Sequence, residues 1–120
     1  MVSQHDGDLV RVDSVGGRTV VRFTREVVLT GQQAEAVGEE LTRLVGESGP
    51  GGLVLDFGNV RSLSSLMLGK LVRLNQAARD AGGELALCNL RPDVQAIFEV
   101  TRLTQLLRIY PGEPEALRGP

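Results

Sequence analysis

Histidine and cysteine each occur once in this chain, at His5 and Cys88, and these scarcities remove most catalytic chemistry. His5 has no Cys or Asp/Glu cluster at metal-ligand spacing around it and reads as a solvated terminal residue, so no metal site is expected. Without a second histidine, and without a G-x-S-x-G elbow, no serine can join a nucleophilic triad. Cys88 cannot form an internal disulfide, and its apolar neighbours mark it as a buried thiol in a reducing compartment. Gly69-Lys70 lacks the upstream glycine of a phosphate loop and falls within a helical pattern. No cofactor is implied, and an enzyme is disfavoured.

Charge of one sign is also missing. The formal net charge is −2, and thirteen basic residues, all but Lys70 arginine, are scattered rather than gathered in a stripe. Nucleic acid is therefore not an expected partner. No apolar run approaches a membrane span, and Met1 to Asp8 lacks the regions of a signal peptide, so a soluble cytoplasmic protein is expected. Nothing in the sequence sets the oligomeric state.

What is present is a regular alternation of short elements. At 120 residues and 42% hydrophobic, the chain suits one domain over 1–120 with a core from about 8 to 117. Asp8 to Asp13 and Arg18 to Thr24 alternate apolar and polar residues around Gly16-Gly17 and predict a hairpin. From Thr30, a candidate N-cap, Ala34, Val37, Leu41, Leu44 and Val45 recur at helical spacing. Gly49-Pro50-Gly51-Gly52 breaks that helix and leads into Leu53 to Phe57, apolar enough for a central strand covered on both faces. A loop from Gly58 to Leu63 is expected next. From Ser65 to Ala81, Leu68, Leu71, Val72, Asn75 and Ala78 share one helical face, flanked by Leu74, Ala77 and Ala81. Gly82-Gly83 ends the helix before a strand at Glu84 to Cys88. Pro92 then opens a short helix with Val94, Ile97 and Phe98, and Leu106 to Tyr110 is the last predicted strand. Glu113 to Leu117 is a candidate final helical turn. The fold class is α/β, in the order β-β-α-β-α-β-α-β, with strand, helix and strand forming a right-handed parallel crossover.

The stretch Leu53 to Gly69, LVLDFGNVRSLSSLMLG, concentrates the functional signal. A strand ends at Asp56-Phe57, and Ser64-Ser65 opens an amphipathic helix. Helix starts carry unpaired N–H groups and the positive end of the dipole, which favours an added phosphate. The same position also favours serine simply as an N-cap. Ser64 and Ser65, with Ser62 a third, are the candidates for either role. Arg61 or Arg91 would be counter-charges, and Leu66 with Met67 either core or an apolar anchor for a partner. Asp56 reads as a capping or loop hydrogen-bonding residue as readily as part of a switch.

Together with Ala81-Gly82-Gly83-Glu84-Leu85-Ala86-Leu87-Cys88-Asn89, Val94 to Phe98 and Leu103 to Tyr110, this stretch resembles a STAS domain over nearly the whole chain. The resemblance implies a mixed, mainly parallel sheet with an N-terminal hairpin. It also implies an anti-sigma factor antagonist whose unphosphorylated form binds an anti-sigma factor serine kinase and frees a sigma factor. Ser65 occupies the position that the family's antagonists present for phosphorylation, so the resemblance implies that Ser65 is the switch, with Ser64 the alternate, and that Ser64 otherwise caps. Ser64, Leu66, Met67, Asp56 and Arg61 would form the partner surface around Ser65. The family usually has Asp where this chain has Ser64, and Gly where it has Met67. The alternatives are a STAS scaffold in a signalling complex, whose serines only cap, and a STAS domain binding a nucleotide or other small ligand near Gly58 to Leu63.

Overall fold

A computed structural model describes residues 9–119. His5, and the first residue of the predicted hairpin, Asp8, lie outside them. The hairpin forms from β1 (Val10–Val15) and β2 (Arg18–Phe23), antiparallel across the Gly16-Gly17 turn, where both glycines have positive φ. β3 (Val27–Leu29) follows and stands apart from this sheet. β2 pairs in parallel with β4 (Leu53–Asp56), which in turn pairs with β6 (Leu85–Cys88), and β6 with β7 (Arg108–Tyr110). The order β1-β2-β4-β6-β7 puts β4 at the centre of a mixed, mainly parallel sheet, as its apolar run predicts.

Two of the strands are absent from the sequence-based order. β3 and β5 (Val60–Leu63) form a separate parallel pair, so more than half of the predicted loop after β4 is strand. Each is too short for a period-2 signal. Val60 and Leu63 turn inward while Arg61 is exposed and Ser62 half-buried. What makes these segments strands is pairing with residues more than thirty positions away, which no local pattern encodes.

α1 (Gly31–Ser48), α2 (Ser65–Asp80) and α3 (Pro92–Val100) bury their apolar stripes in one core with Leu53, Leu55, Leu85 and Leu87 from the sheet. Phe57 lies at its middle, edge-to-face with Phe23 and Phe98 at centroid distances of 6.1 and 6.5 Å. The core face of α2 differs from expectation. Met67 and Leu74 are buried with Leu68, Leu71, Asn75 and Ala78, whereas Val72 is half-buried and Ala77 and Ala81 are exposed. The buried set follows the rows 67-71-74-78 and 68-71-75, the stripe a helix presents when its first turn tilts onto the core. Asn75 is held there by hydrogen bonding: its Oδ1 accepts from Leu85 N (3.3 Å) and its Nδ2 donates to Leu106 O (3.1 Å).

The opposite face of the sheet is covered by the short α4 (Glu113–Arg118), the predicted final turn. Beneath it Val20, Val54, Ala86, Cys88 and Ala116 form a second, smaller cluster. The last strand is shorter than expected, because Leu103–Gln105 winds into a 3₁₀ turn and β7 begins only at Arg108.

Candidate functional site

The parallel register of β3 with β5 places Leu29 beside Leu63, and each strand runs directly into a helix. α1 and α2 therefore begin side by side, at Thr30 and Ser64. The backbone N–H of Ser64 donates to Leu29 O (3.1 Å), tying the two starts together. Thr30 occupies the predicted cap position of α1, but its side chain makes no capping hydrogen bond. Neither helix has an acidic residue in its first turn. Those turns hold no carboxylate to offset the positive ends of the two dipoles.

The two serines do different things. Ser64 is the N-cap of α2, with φ −88° and ψ 166°, and its Oγ accepts from Met67 N at 3.3 Å. Ser65 is the first helical residue, exposed, and its hydroxyl makes no hydrogen bond with the described residues. An N-cap must point its oxygen back at the helix, whereas the next residue points away from it. Ser62, on β5, is half-buried opposite Val28 of β3.

The apolar neighbours separate in the same way. Leu66 is 43% exposed and Met67 is 0% exposed. Met67 is thus part of the main core, not of any surface, and Leu66 alone remains beside the serines. Val28 adds a second exposed apolar side chain on β3, at 44% exposure, a surface residue that sequence reasoning missed because β3 was not foreseen.

Arg61 and Arg91 do come to one place, but on a carboxylate. Arg91 donates from Nη2 to Glu26 at 2.9 Å and from Nε to Gly58 O at 3.0 Å, while Arg61 Nε lies 3.7 Å from Glu26. The hydrogen bond from Arg91 leads the causes that lower the Glu26 pKa. In the unmodified protein both arginines thus sit on an exposed acid.

Asp56, at the carboxyl end of β4, is a loop organiser. Its Oδ1 accepts from Gly58 N (2.9 Å) and its Oδ2 from Asn89 Nδ2 (3.0 Å). Asn89 is held at φ 59°, in the left-handed region. Burial raises the Asp56 pKa, and hydrogen bonding to the neighbouring Glu113 carboxyl adds to the rise. Glu113 moves the other way, lowered chiefly by its hydrogen bonds from Arg22. An open cleft is lined by Arg22, Phe23, Asp56, Gly58 and Asn59, the nearest thing to a small-ligand site. Its polar side chains are already engaged: Arg22 by Asp13 and Glu113, Asn59 by Phe23 O. Among the described residues no group of His, Cys, Asp and Glu is placed to hold a metal ion, and no helix is long and apolar enough to cross a membrane.

Comparison with known proteins returns one family. The model of the STAS domain matches residues 8–116. A curated relative from Bordetella bronchiseptica, BtrV, named as a putative anti-sigma factor antagonist, is 33% identical over 84 residues, 70% of this chain and 69% of that one. Among solved structures, an anti-sigma-factor antagonist domain protein from Planctomyces limnophilus superposes with a TM-score of 0.79 at 21% identity, covering 91% of this chain and 95% of that one. The Bacillus cell fate determinant SpoIIAA in its phosphorylated form superposes with a TM-score of 0.65 at 15% identity, covering 91% and 96%.

Proposed function

The chain belongs to the STAS domain family, and from that premise we propose that it is an anti-sigma factor antagonist switched by phosphorylation of Ser65. The observation that carries this reading is the division of labour at the start of α2: Ser64 already satisfies the cap, leaving the Ser65 hydroxyl exposed and unbonded among the described residues. A residue needed for neither fold nor cap is available to a kinase. The name of the Bordetella relative and the phosphorylated form of SpoIIAA support it.

The physical consequence is a binding switch without refolding. A phosphate on Ser65 adds roughly −1.5 to −2 charges at neutral pH. It meets two helix starts without acidic residues, which tolerate an anion in the free protein. A partner seated over Ser65, Leu66 and Val28 would instead enclose that charge beside two apolar side chains and be expelled. The partner is an anti-sigma factor serine kinase, which brings ATP and the catalytic groups; this chain, in the cytoplasm, is ligand and substrate rather than enzyme.

The test is quantitative capture from source cells with wild-type, Ser65→Ala and Ser65→Glu baits, read by mass spectrometry, together with mapping of phosphoserine on the wild type. Retention of an anti-sigma factor kinase by the first two, its loss by the third, and phosphate at Ser65 are expected. Equal capture of that kinase by all three would sink the switch. It would favour the scaffold reading, for which the Ser64 cap is the supporting observation.

A further inference from the structure

The six-residue α4 is attached to the sheet in a manner unlike the other helices. Ala116 is the one residue it buries completely, and Leu117 is half-buried. Besides this small apolar contact, its attachment is polar and comes from two arginines of β2 and from the Asp56 carboxyl beside Glu113. Arg22 grips the first residue, Nε and Nη2 each 2.7 Å from a different oxygen of Glu113. Arg18 reaches the last turn, Nη1 donating to Ala116 O (2.9 Å) and Leu117 O (3.2 Å). Four strand residues span about 13 Å and six helical residues about 9 Å, so side chains on one face of β2 can hold both ends of such a helix.

A helix this short does not persist on its own. The Arg22 and Glu113 side chains keep 36% and 19% of their exposure, so solvent screens their attraction. Asp13 takes the remaining Nη1 of the same guanidinium at 2.5 Å, on the open hairpin side. Beneath α4 lies Cys88, fully buried with Val20, Val54 and Ala86. We propose that α4 is a strap that opens as a unit while the rest of the fold stays intact, and that this opening is what admits solvent to Cys88. Elements with few buried apolar contacts and solvent-exposed attachments open at lower free energy than the core they cover. In the closed protein the thiol is doubly protected: it is inaccessible, and burial foremost pushes its pKa up to about 12, leaving almost no thiolate at neutral pH. As the only cysteine in the chain, it reports the opening without ambiguity.

The experiment is the rate of Cys88 labelling by Ellman's reagent in the full chain, measured across urea concentrations below the unfolding transition. Three proteins are compared: wild type, Glu113→Gln, which weakens the strap, and Glu35→Gln, which removes the Lys70 partner on the opposite face. The wild-type rate should depend on urea with a slope well below that of global unfolding. Glu113→Gln should label about tenfold faster with the same shallow slope, the scale of one charge-assisted contact, and Glu35→Gln at the wild-type rate. The proposal is overturned if wild-type labelling follows the global unfolding slope, if Glu113→Gln leaves the rate unchanged, or if Cys88 in the wild type reacts as fast as in urea-unfolded chain.

Discussion

The two ends of the parallel sheet are made of different materials. At the amino ends of β2, β4 and β6 backbone packs on backbone: Gly51 lies against Gly17, Gly52 against Glu84 and Gly83 against Gly52, with no space for a Cβ at any of the three contacts. At the carboxyl ends, Arg22, Asp56, Asn89 and Glu113 join through side chains that remain partly open to solvent. Side-chain contacts can be traded, protonated or modified; a glycine packed on a carbonyl cannot. The difference locates stability at one end and adjustable chemistry at the other, in keeping with loops carrying function on a rigid scaffold.

The contrast is broken most severely from the glycine end. Gly52 has φ 75°, and a Cβ built there would stand 2.5 Å from Glu84 O, a backbone atom with no room to retreat. Gly52→Ala should cost about 3 kcal/mol of stability, seen as a lower urea midpoint. Away from the glycines, at the start of α2, Ser65→Glu should leave that midpoint nearly unchanged yet weaken partner binding by about 2 kcal/mol or more, measured by calorimetry with the captured kinase. A loss of stability as large as that of Gly52→Ala would contradict the assignment of Ser65 to the surface.

Ser64→Ala should fall between fold and function. Loss of the bond to Met67 N removes a cap, about 1 kcal/mol, and thermal unfolding should show a correspondingly small drop while Ser65 remains a substrate. The least expected effect lies in pH dependence. Asp56 has a raised pKa in the folded state, so its contribution is fully present below its unfolded pKa and is lost as pH rises through the folded one. Glu113, lowered by Arg22, contributes in the opposite sense: present above its unfolded pKa, lost as pH falls through the folded one. Between about pH 4 and about pH 8, urea titrations should show Asp56→Asn gaining on the wild type as pH rises. A constant difference across that range would contradict the raised pKa of Asp56.

Much of this was legible before folding. The helical period of α1, carried by Ala34, Val37, Leu41, Leu44 and Val45, survives intact because eighteen residues at one period outweigh any single exception. The diglycine breaks at 16-17, 51-52 and 82-83 are visible as turns, but their mutual packing is not, since each lies far from its partner in the chain. The candidate site was half legible. Serines at a helix start announce themselves, whereas Val28 stayed hidden in a three-residue strand and the sequence left both Leu66 and Met67 open between core and anchor, which folding resolves in opposite ways.

The order of the principal elements, the apolar stripes of α1 and α3 and the place where α2 begins are written in the chain, because they depend on period and punctuation within a dozen residues. Only the folded arrangement reveals that β3 and β5 pair, that Glu26 holds both candidate arginines, and that Arg18 and Arg22 bind α4 at its two ends. Reach separates the two kinds of information. A local pattern records what each residue prefers, but a strand of three residues or a helix of six acquires its structure only from partners that folding brings near.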